Sequence, residues 1–589
     1  MPPQPLDAPV LDASVIDAPE RGSVNICTRS LSAEQIYRQP NIEVYCFGQP
    51  RHAGDRRLLS ACQIARLFID SNAPLLLEGH FAVVIVKPQQ QQCWIYADRF
   101  ASHRLYFCQV KTGGQGNPFW VSDNLQQLKQ QQDQYSGAEL SQQALVNYLF
   151  FHMIPSPETI YKDIYTLQPA EQIHWDGAGI RRQRGWTPRF DQTSGQSAQE
   201  LADELLILMR KLMPDYCQQG RTGCFLSGGL DSSSIAGLVA ETLPGTEVFS
   251  IGFPIEQYNE LDYARTAVKH FGLKGHEYIM SPEDVVAALP QVIASMDQPF
   301  GNSSVMPAYF CAKLARSQGI DRLIAGDGGD ELFAGNERYA SQLKLDRLRT
   351  RLRPLIGILD RSLLQINWPD SPALLGKAKS LTRQLKMSVP ENLEYFNFLN
   401  LLDRDAIFSA ALLAGTDQYE PDWRCQRLYD QPRNASVLDR MLFMDWKHTL
   451  ADNDLIKVST MCQLAGVEVA YPLLDDRLVD FALKIPAELK LVPGNLRSLY
   501  KKAMTGFLPE KIIHKTKQGF GLPFGLWTAE HAGLRNLAYE AIASLDQYDL
   551  FRPGFIDEVK RLHQQEHAKH YGELVWILMV LAMWLDTNR

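Results

Sequence analysis

No stretch of this sequence is long and apolar enough to cross a membrane. The longest apolar run, LVWILMVLAMWL at 574–585, is twelve residues, against roughly 20 for a spanning helix; it predicts a buried helix instead. Basic residues do not dominate either. Lys and Arg number 59 against 67 Asp and Glu, a net charge of −8, whereas binding a phosphate backbone needs a concentrated basic surface, which argues against nucleic acid as a partner. The ten cysteines form no CxxC pair, which argues against zinc and leaves buried thiols of a reducing compartment. The opening MPPQPLDAPVLDASVIDAPERG lacks the basic and apolar regions of a signal peptide; residues 1–25 read as a flexible tail and the cytoplasm as the address. No internal repeat is present.

What the chain does have is length and ordinary globular composition: 589 residues, 45% apolar, 21% charged and ten tryptophans. That is enough for two or three folded domains. From about 40 to 185 the pattern is mostly β. Phe81–Val86 and Cys93–Ala97 are apolar runs flanking PQQQQ, which reads as a hairpin loop. The glutamines there and at 130–132 read as solvated surface. The polar segment DQTSGQSAQE, 191–200, reads as a linker, which divides the chain into a domain at 26–190 and another at 200–589. In the second, Leu201, Leu205, Leu206 and Met209 lie at helical spacing, and GCFL (223–226), VFSIGF (248–253) and RLIAGD (322–327) read as strands. Alternating β and α units predict a parallel sheet with ligands at the carboxyl ends of its strands. The basic helical stretch LKLDRLRTRLRPLIGILDRS reads as a solvated helix face, with a docking surface as the alternative.

Two loops carry the chemistry. FLSGGLDSSS, 225–234, joins a strand to a helix expected from about Ser232, and has an aspartate where a Walker A loop has its lysine. Gly228 and Gly229 permit a tight turn of inward-pointing amides, which with a helix N-terminus suits pyrophosphate. Asp231 would repel phosphate directly, but can hold it through Mg²⁺, a hard ion that takes carboxylate and phosphate oxygens together. The second loop, GDGGDELFAG at 326–335, packs Asp327, Asp330 and Glu331 within five residues, a repulsion that a cation or a base role would offset. The plain alternatives are a glycine turn before a helix and a solvated acidic turn.

FLSGGLDSS resembles the pyrophosphate loop of ATP-pyrophosphatase enzymes. With SIGF (250–253), MDQPFGNSS (296–304), GDGGDELFAG, VEVAYPLLDDRLVDFALKIPAELK (467–490) and KQGFGLP (517–523), it resembles the synthetase domain of the asparagine synthetase family, in family order across 200–589. The resemblance implies an α/β fold with a doubly wound parallel sheet and added helices. It also implies a reaction in which ATP activates a carboxylate as an acyl-adenylate and an amine then forms the amide. By position, Ser227, Gly228, Gly229, Asp231 and Ser232 would hold pyrophosphate, Ile251 and Gly326 would contact adenosine, and Asp231 with Asp330 would bind Mg²⁺. Lys517 would neutralise developing charge, and Asp327, where the family has a glutamate, would accept or position the amine's proton. Ala470 departs from the family's arginine, and Arg497 from its lysine.

Residues 70–185 resemble the family's N-terminal glutaminase, an Ntn-type β-rich sandwich, through LEGHFAVVIV (77–86), YADRFASHRLYF (96–107) and PSPETIYKDIYTLQPAEQI (155–173). That chemistry needs an N-terminal cysteine whose α-amino group is the base. This chain begins Met1-Pro2-Pro3, has Glu78-Gly79-His80 in place of the Asn-Gly-acid triplet, and follows Cys27 with Thr28-Arg29. The expectation is a degenerate glutaminase, with His80 a hydrogen-bonded structural histidine. An amide-forming site without its own ammonia source suggests that the amine arrives with the substrate. Two branches fit: β-lactam synthetases and lasso-peptide cyclases. The shortened front domain and the basic stretch after 340 resemble the cyclase branch, implying a peptide substrate and a leader peptidase as partner. An ammonia-dependent asparagine synthetase and a nucleotide-binding regulator without turnover are the alternatives.

Overall fold

The computed structural model describes residues 24–27, 36–70, 75–110, 118–190, 195–217, 220–363, 373–402, 404–516 and 521–588, with side chains outside 24–27 and 353–379. The front part is built on two sheets. A six-stranded antiparallel sheet runs, edge to edge, Ile180–Arg184, Glu171–Trp175, Gln92–Ala97, Phe81–Lys87, Ile42–Gly48, Ile36–Gln39. A four-stranded sheet has the order Val24–Cys27, Phe119–Ser122, Tyr106–Gln109, Ile164–Thr166. Strand Phe81–Lys87 is apolar from Phe81 to Val86 because both its faces are covered there. Ala82, Val84 and Val86 pack with Phe107, Phe119 and Val121 of the second sheet, while Val83 and Ile85 pack with Ile64 and Ala65 of helix Ala61–Asp70. The hairpin expected around PQQQQ is present, its loop a short 3₁₀ turn at Pro88–Gln90. Gln132 departs from the surface expectation: it is buried and donates from Nε2 to the Lys162 carbonyl at 3.2 Å.

The second part centres on a five-stranded, all-parallel sheet in the order Lys274–Ile279, Glu247–Gly252, Thr222–Phe225, Arg322–Ile324, Glu468–Ala470. From Thr222–Phe225 the chain adds two strands on one side, then returns to add two on the other. The order therefore reverses between Thr222–Phe225 and Arg322–Ile324, and a crevice opens past their carboxyl ends. The SGGLDSS and GDGGDE loops follow those two strands. Helix Leu230–Thr242 begins at Leu230, two residues earlier than Ser232. The linker expectation also needs correction at its end: a helix starts at Ala198, held by a capping box between Ser197 and Glu200, and residues 191–194 lie outside the described ones.

Segments between the fourth and fifth strands are helical, including Glu337–Leu363 and Ala373–Lys386 in the basic stretch. Near the site, helices Val437–Asp445 and Leu455–Ala465 are joined by a π-helical run, Trp446–Asp454, a wider winding often found at functional positions. The apolar run at 574–585 lies in helix Ala568–Thr587, with Trp576 and Trp584 fully buried. Among the described residues no helix is long and apolar enough to cross a membrane. Of the nine cysteines whose side chains are described, eight are buried free thiols and Cys62 is half-buried.

Candidate active site

A cavity of about 750 Å³ opens at the switch point of the parallel sheet. Its floor is the first glycine loop. Ser227 Oγ lies 3.0 Å from Ser232 Oγ and accepts from the Gly229 amide at 3.3 Å, which ties the loop to the first turn of its helix. Gly228 has a φ of +72°, and a Cβ there would fall 2.4 Å from the Ala264 amide nitrogen, so only glycine allows the loop to rest on helix Leu261–Phe271. Ser227, Gly229, Asp231 and Ser232 line the cavity, as do Ile251 and Gly326; Gly228 supports the turn from behind.

The acidic loop closes directly on this floor. A Cβ on Gly329 would lie 2.3 Å from Asp231 Oδ1, and one on Gly335 would lie 1.7 Å from Asp330 Oδ1. Each carboxylate thus sits against a bare glycine. Between them stands Arg497, whose Nη1 is 2.6 Å from Asp231 Oδ2 and 3.1 Å from Asp330 Oδ1. Two hard oxygen donors from two strand ends, spanned by a single cationic atom, fit Mg²⁺, which binds through one or two carboxylates and completes its shell with phosphate and water. Among the described residues no group of three or more His, Cys, Asp or Glu could hold a metal by itself, so phosphate oxygens would have to share the ion.

The cavity lining also holds a cluster that only partly stood out in the sequence. Asp327 is joined there by Glu331, Asp454 and Lys457. Lys457 Nζ is 2.6 Å from Asp454 Oδ1. Burial pushes the Asp327 carboxyl up to about 6, Lys457 opposing and Asp454 and Asp231 assisting. Burial likewise holds Glu331 well above the carboxylate range. For Lys457, burial acts to lower the ammonium, but Asp454 and Asp327 outweigh it and hold it above the ordinary lysine value. Titratable groups displaced this way, inside a cleft and with named charge partners, mark a reactive site. Asp454 and Lys457 were not legible as site residues because they come from the end of the π-helical run and the start of the helix after it, about 120 residues from the acidic loop in sequence.

The other end of the cavity is polar. His152, from the front part, lies 3.6 Å from Glu573, and Asn302 donates to Asn453 at 2.8 Å. His152 Nε2 is buried without a hydrogen-bond partner. Also in the cavity lining, Lys515 pairs with Glu260 at 2.6 Å; burial lowers the lysine and raises the glutamate, their mutual attraction working against both shifts. Lys517 lies outside the described residues. Ala470 is not on the cavity wall; it pairs with Ile324 in the sheet and accepts from the Ala325 amide at 2.9 Å.

The Glu78-Gly79-His80 turn points to a different task. Glu78 pairs with Arg56, and the Gly79 amide donates to Asp476 Oδ2 at 2.6 Å. Arg99 Nε is 2.8 Å from Asp476 Oδ1, and Arg56 is 3.4 Å from Asp475. The turn is therefore committed to contact with the LLDD segment of the second part. His80 does not meet its expectation: its ring packs 6.4 Å from both Tyr216 and Tyr471, and both ring nitrogens are buried without hydrogen-bond partners.

Comparison with known proteins agrees with this architecture. The asparagine synthase family profile matches residues 168–586, and a glutamine amidotransferase domain profile matches 71–186. Asparagine synthetase [glutamine-hydrolyzing] 1 of Bacillus subtilis is 25% identical over 536 residues, covering 87% of this chain and 78% of its own. A putative asparagine synthetase [glutamine-hydrolyzing] of Mycobacterium bovis is 25% identical over 456 residues, covering 76% and 67%. A putative asparagine synthetase [glutamine-hydrolyzing] 2 of Methanocaldococcus jannaschii is 29% identical over 245 residues, covering 40% and 46%. With more than half its length matched, and with paired loops at the switch point of a parallel sheet, the chain belongs to the asparagine synthase family, whose members are ATP-dependent amide ligases that form AMP and pyrophosphate.

Proposed function

We propose that this ligase closes a macrolactam within a peptide, joining its N-terminal amine to an Asp or Glu side chain, as in lasso-peptide maturation. The carrying observation is the committed Glu78-Gly79-His80 turn: its glycine amide and acidic side chain are engaged with Asp476 and Arg56, which leaves no glutamine-binding triplet to feed ammonia to the cavity. In this reading the amine comes with the substrate. Holding amine and carboxyl of one molecule in register replaces a bimolecular encounter, an advantage of up to roughly 7–11 kcal/mol when well oriented.

In this reading the substrate carboxylate attacks the α-phosphorus of ATP, an O–P bond forms, and pyrophosphate leaves from the Ser227–Ser232 loop. Mg²⁺ held by Asp231 and Asp330 would offset the negative charge on the phosphates. The amine then attacks the acyl carbon, the C–N bond forms, and AMP departs with the carboxylate oxygen. Asp327, with its carboxyl titrating at about 6, is placed in role as acceptor of the amine's proton; a base with a value near the working pH transfers protons most effectively. Lys457 and Asp454 fix the charge around it. Ile251 and Gly326 are assigned to the adenosine and Lys517 to the developing charge.

A leader peptidase is the partner this reading requires, since the amine must be freed first. The test is pyrophosphate release. A leader-free peptide with an acidic residue near its start should trigger it, and aspartate plus ammonium should not. Release that tracks aspartate and ammonium instead would make the protein an ammonia-dependent asparagine synthetase.

A further inference from the structure

The arginine between the two carboxylates has no counterpart in the reaction just described. Arg497 takes a left-handed backbone conformation, φ +53°, at the start of helix Ser498–Met504, and is 6% exposed. Its Nη1 atom touches both Asp231 and Asp330. A cation bridging the same two oxygens would need the space this nitrogen fills. Yet the guanidinium is not fully satisfied: its Nε is buried without a hydrogen-bond partner, as is Asp231 Oδ1, although Arg497 forms part of the cavity wall. Five donors in a fixed fork match phosphate oxygens as well as carboxylates, so an unused donor on a side chain that lines the cavity points to a second position for it.

We infer that Arg497 is a stand-in cation, occupying the divalent-ion position while the site is empty and moving to the phosphates when metal and nucleotide arrive together. Charge supports the exchange. Two carboxylates against one guanidinium leave a net negative pocket, which a divalent ion neutralises. The device keeps the two acidic side chains from facing each other bare, a costly arrangement in a mostly buried site. It also makes the ion wait for the nucleotide: metal alone must displace the guanidinium without offering it a phosphate. The inference depends on the adenylation reading only for the identity of the phosphates, and not at all on the peptide.

The test is Mn²⁺ binding to the full chain without nucleotide, read from the free-ion signal in electron paramagnetic resonance. The unsubstituted protein should bind weakly. Arg497→Met should bind at least about tenfold more tightly, since a unit charge at contact distance is removed, and Asp231→Asn in the same chain should abolish the gain. The metal-free Arg497→Met protein should also melt at a lower temperature and recover with Mn²⁺. Should Arg497→Met fail to fold, Arg497→Gln, which keeps a hydrogen-bonding head without the charge, should give the same gain. Equal or weaker Mn²⁺ binding in the neutral variants, or a gain that survives Asp231→Asn, overturns the inference. Neither readout requires turnover, so failure of the peptide assay would leave it standing.

Discussion

Replacing Asp327 by Asn should separate the two halves of the reaction. Burial, which disfavours its charge, pushes this carboxyl up to about 6. A base with that value is about nine-tenths ionised at about pH 7 and about one-tenth at about pH 5, so the amide-forming step should slow about tenfold between them. The asparagine cannot accept the amine's proton, and the step should fall by about 10²–10⁴ at neutral pH with the acid limb erased. Adenylation needs no proton from the amine. Exchange of labelled pyrophosphate into ATP should therefore persist while product formation collapses. Stability should move the other way. A folded value above the unfolded one means that the native state binds more protons between about pH 4 and about pH 6, so stability falls as pH rises through that window. Asp327→Asn should remove this loss and melt higher than the parent at neutral pH. A variant that keeps amide formation within tenfold, or that retains a limb near 6, would refute the assignment.

Three further outcomes are expected. Asp476, pushed up to about 7 by burial despite Arg99, should make stability decline between about pH 4 and about pH 7, and Asp476→Asn should flatten that slope in denaturant titrations. Gly335→Ala places a methyl 1.7 Å from Asp330 Oδ1; it should abolish metal-dependent pyrophosphate exchange and raise the Mn²⁺ dissociation constant by about tenfold or more, with circular dichroism unchanged. Lys457→Met removes the cation that opposes the upward shift of Asp327, so the acid limb of amide formation should move above 6, read from the pH–rate profile.

Much of this site was legible because its residues are local to strand ends. Phe225–Ser234 and 326–335 each carry glycine, acid and helix start within ten residues, and the parallel sheet had only to set their strands side by side. Position-by-position reading placed Asp231, Asp327 and Asp330 together for that reason. What it missed arrives from elsewhere in the chain. Asp454 ends a π-helical run that no periodicity announces, Lys457 lies in the helix that follows it, and His152 reaches the cavity from the front part through packing against Gly301 and Glu573. Arg497 was seen as a departure, but its contact with two carboxylates that lie 266 and 167 residues away in sequence is made by the tertiary fold. The linker boundary shifted because the Ser197–Glu200 capping box starts a helix within a polar segment, and polarity alone does not separate a cap from a loop.

The central claim is that the two acidic loops support transfer of AMP to a carboxyl group. It is tested most directly with a leader-free peptide whose acidic side chain carries ¹⁸O in both carboxyl oxygens, incubated with the protein, ATP and Mg²⁺. Mass spectrometry should find one labelled oxygen in the AMP released and one retained in a peptide lighter by the elements of water. Label in inorganic phosphate, or unlabelled AMP, would contradict it.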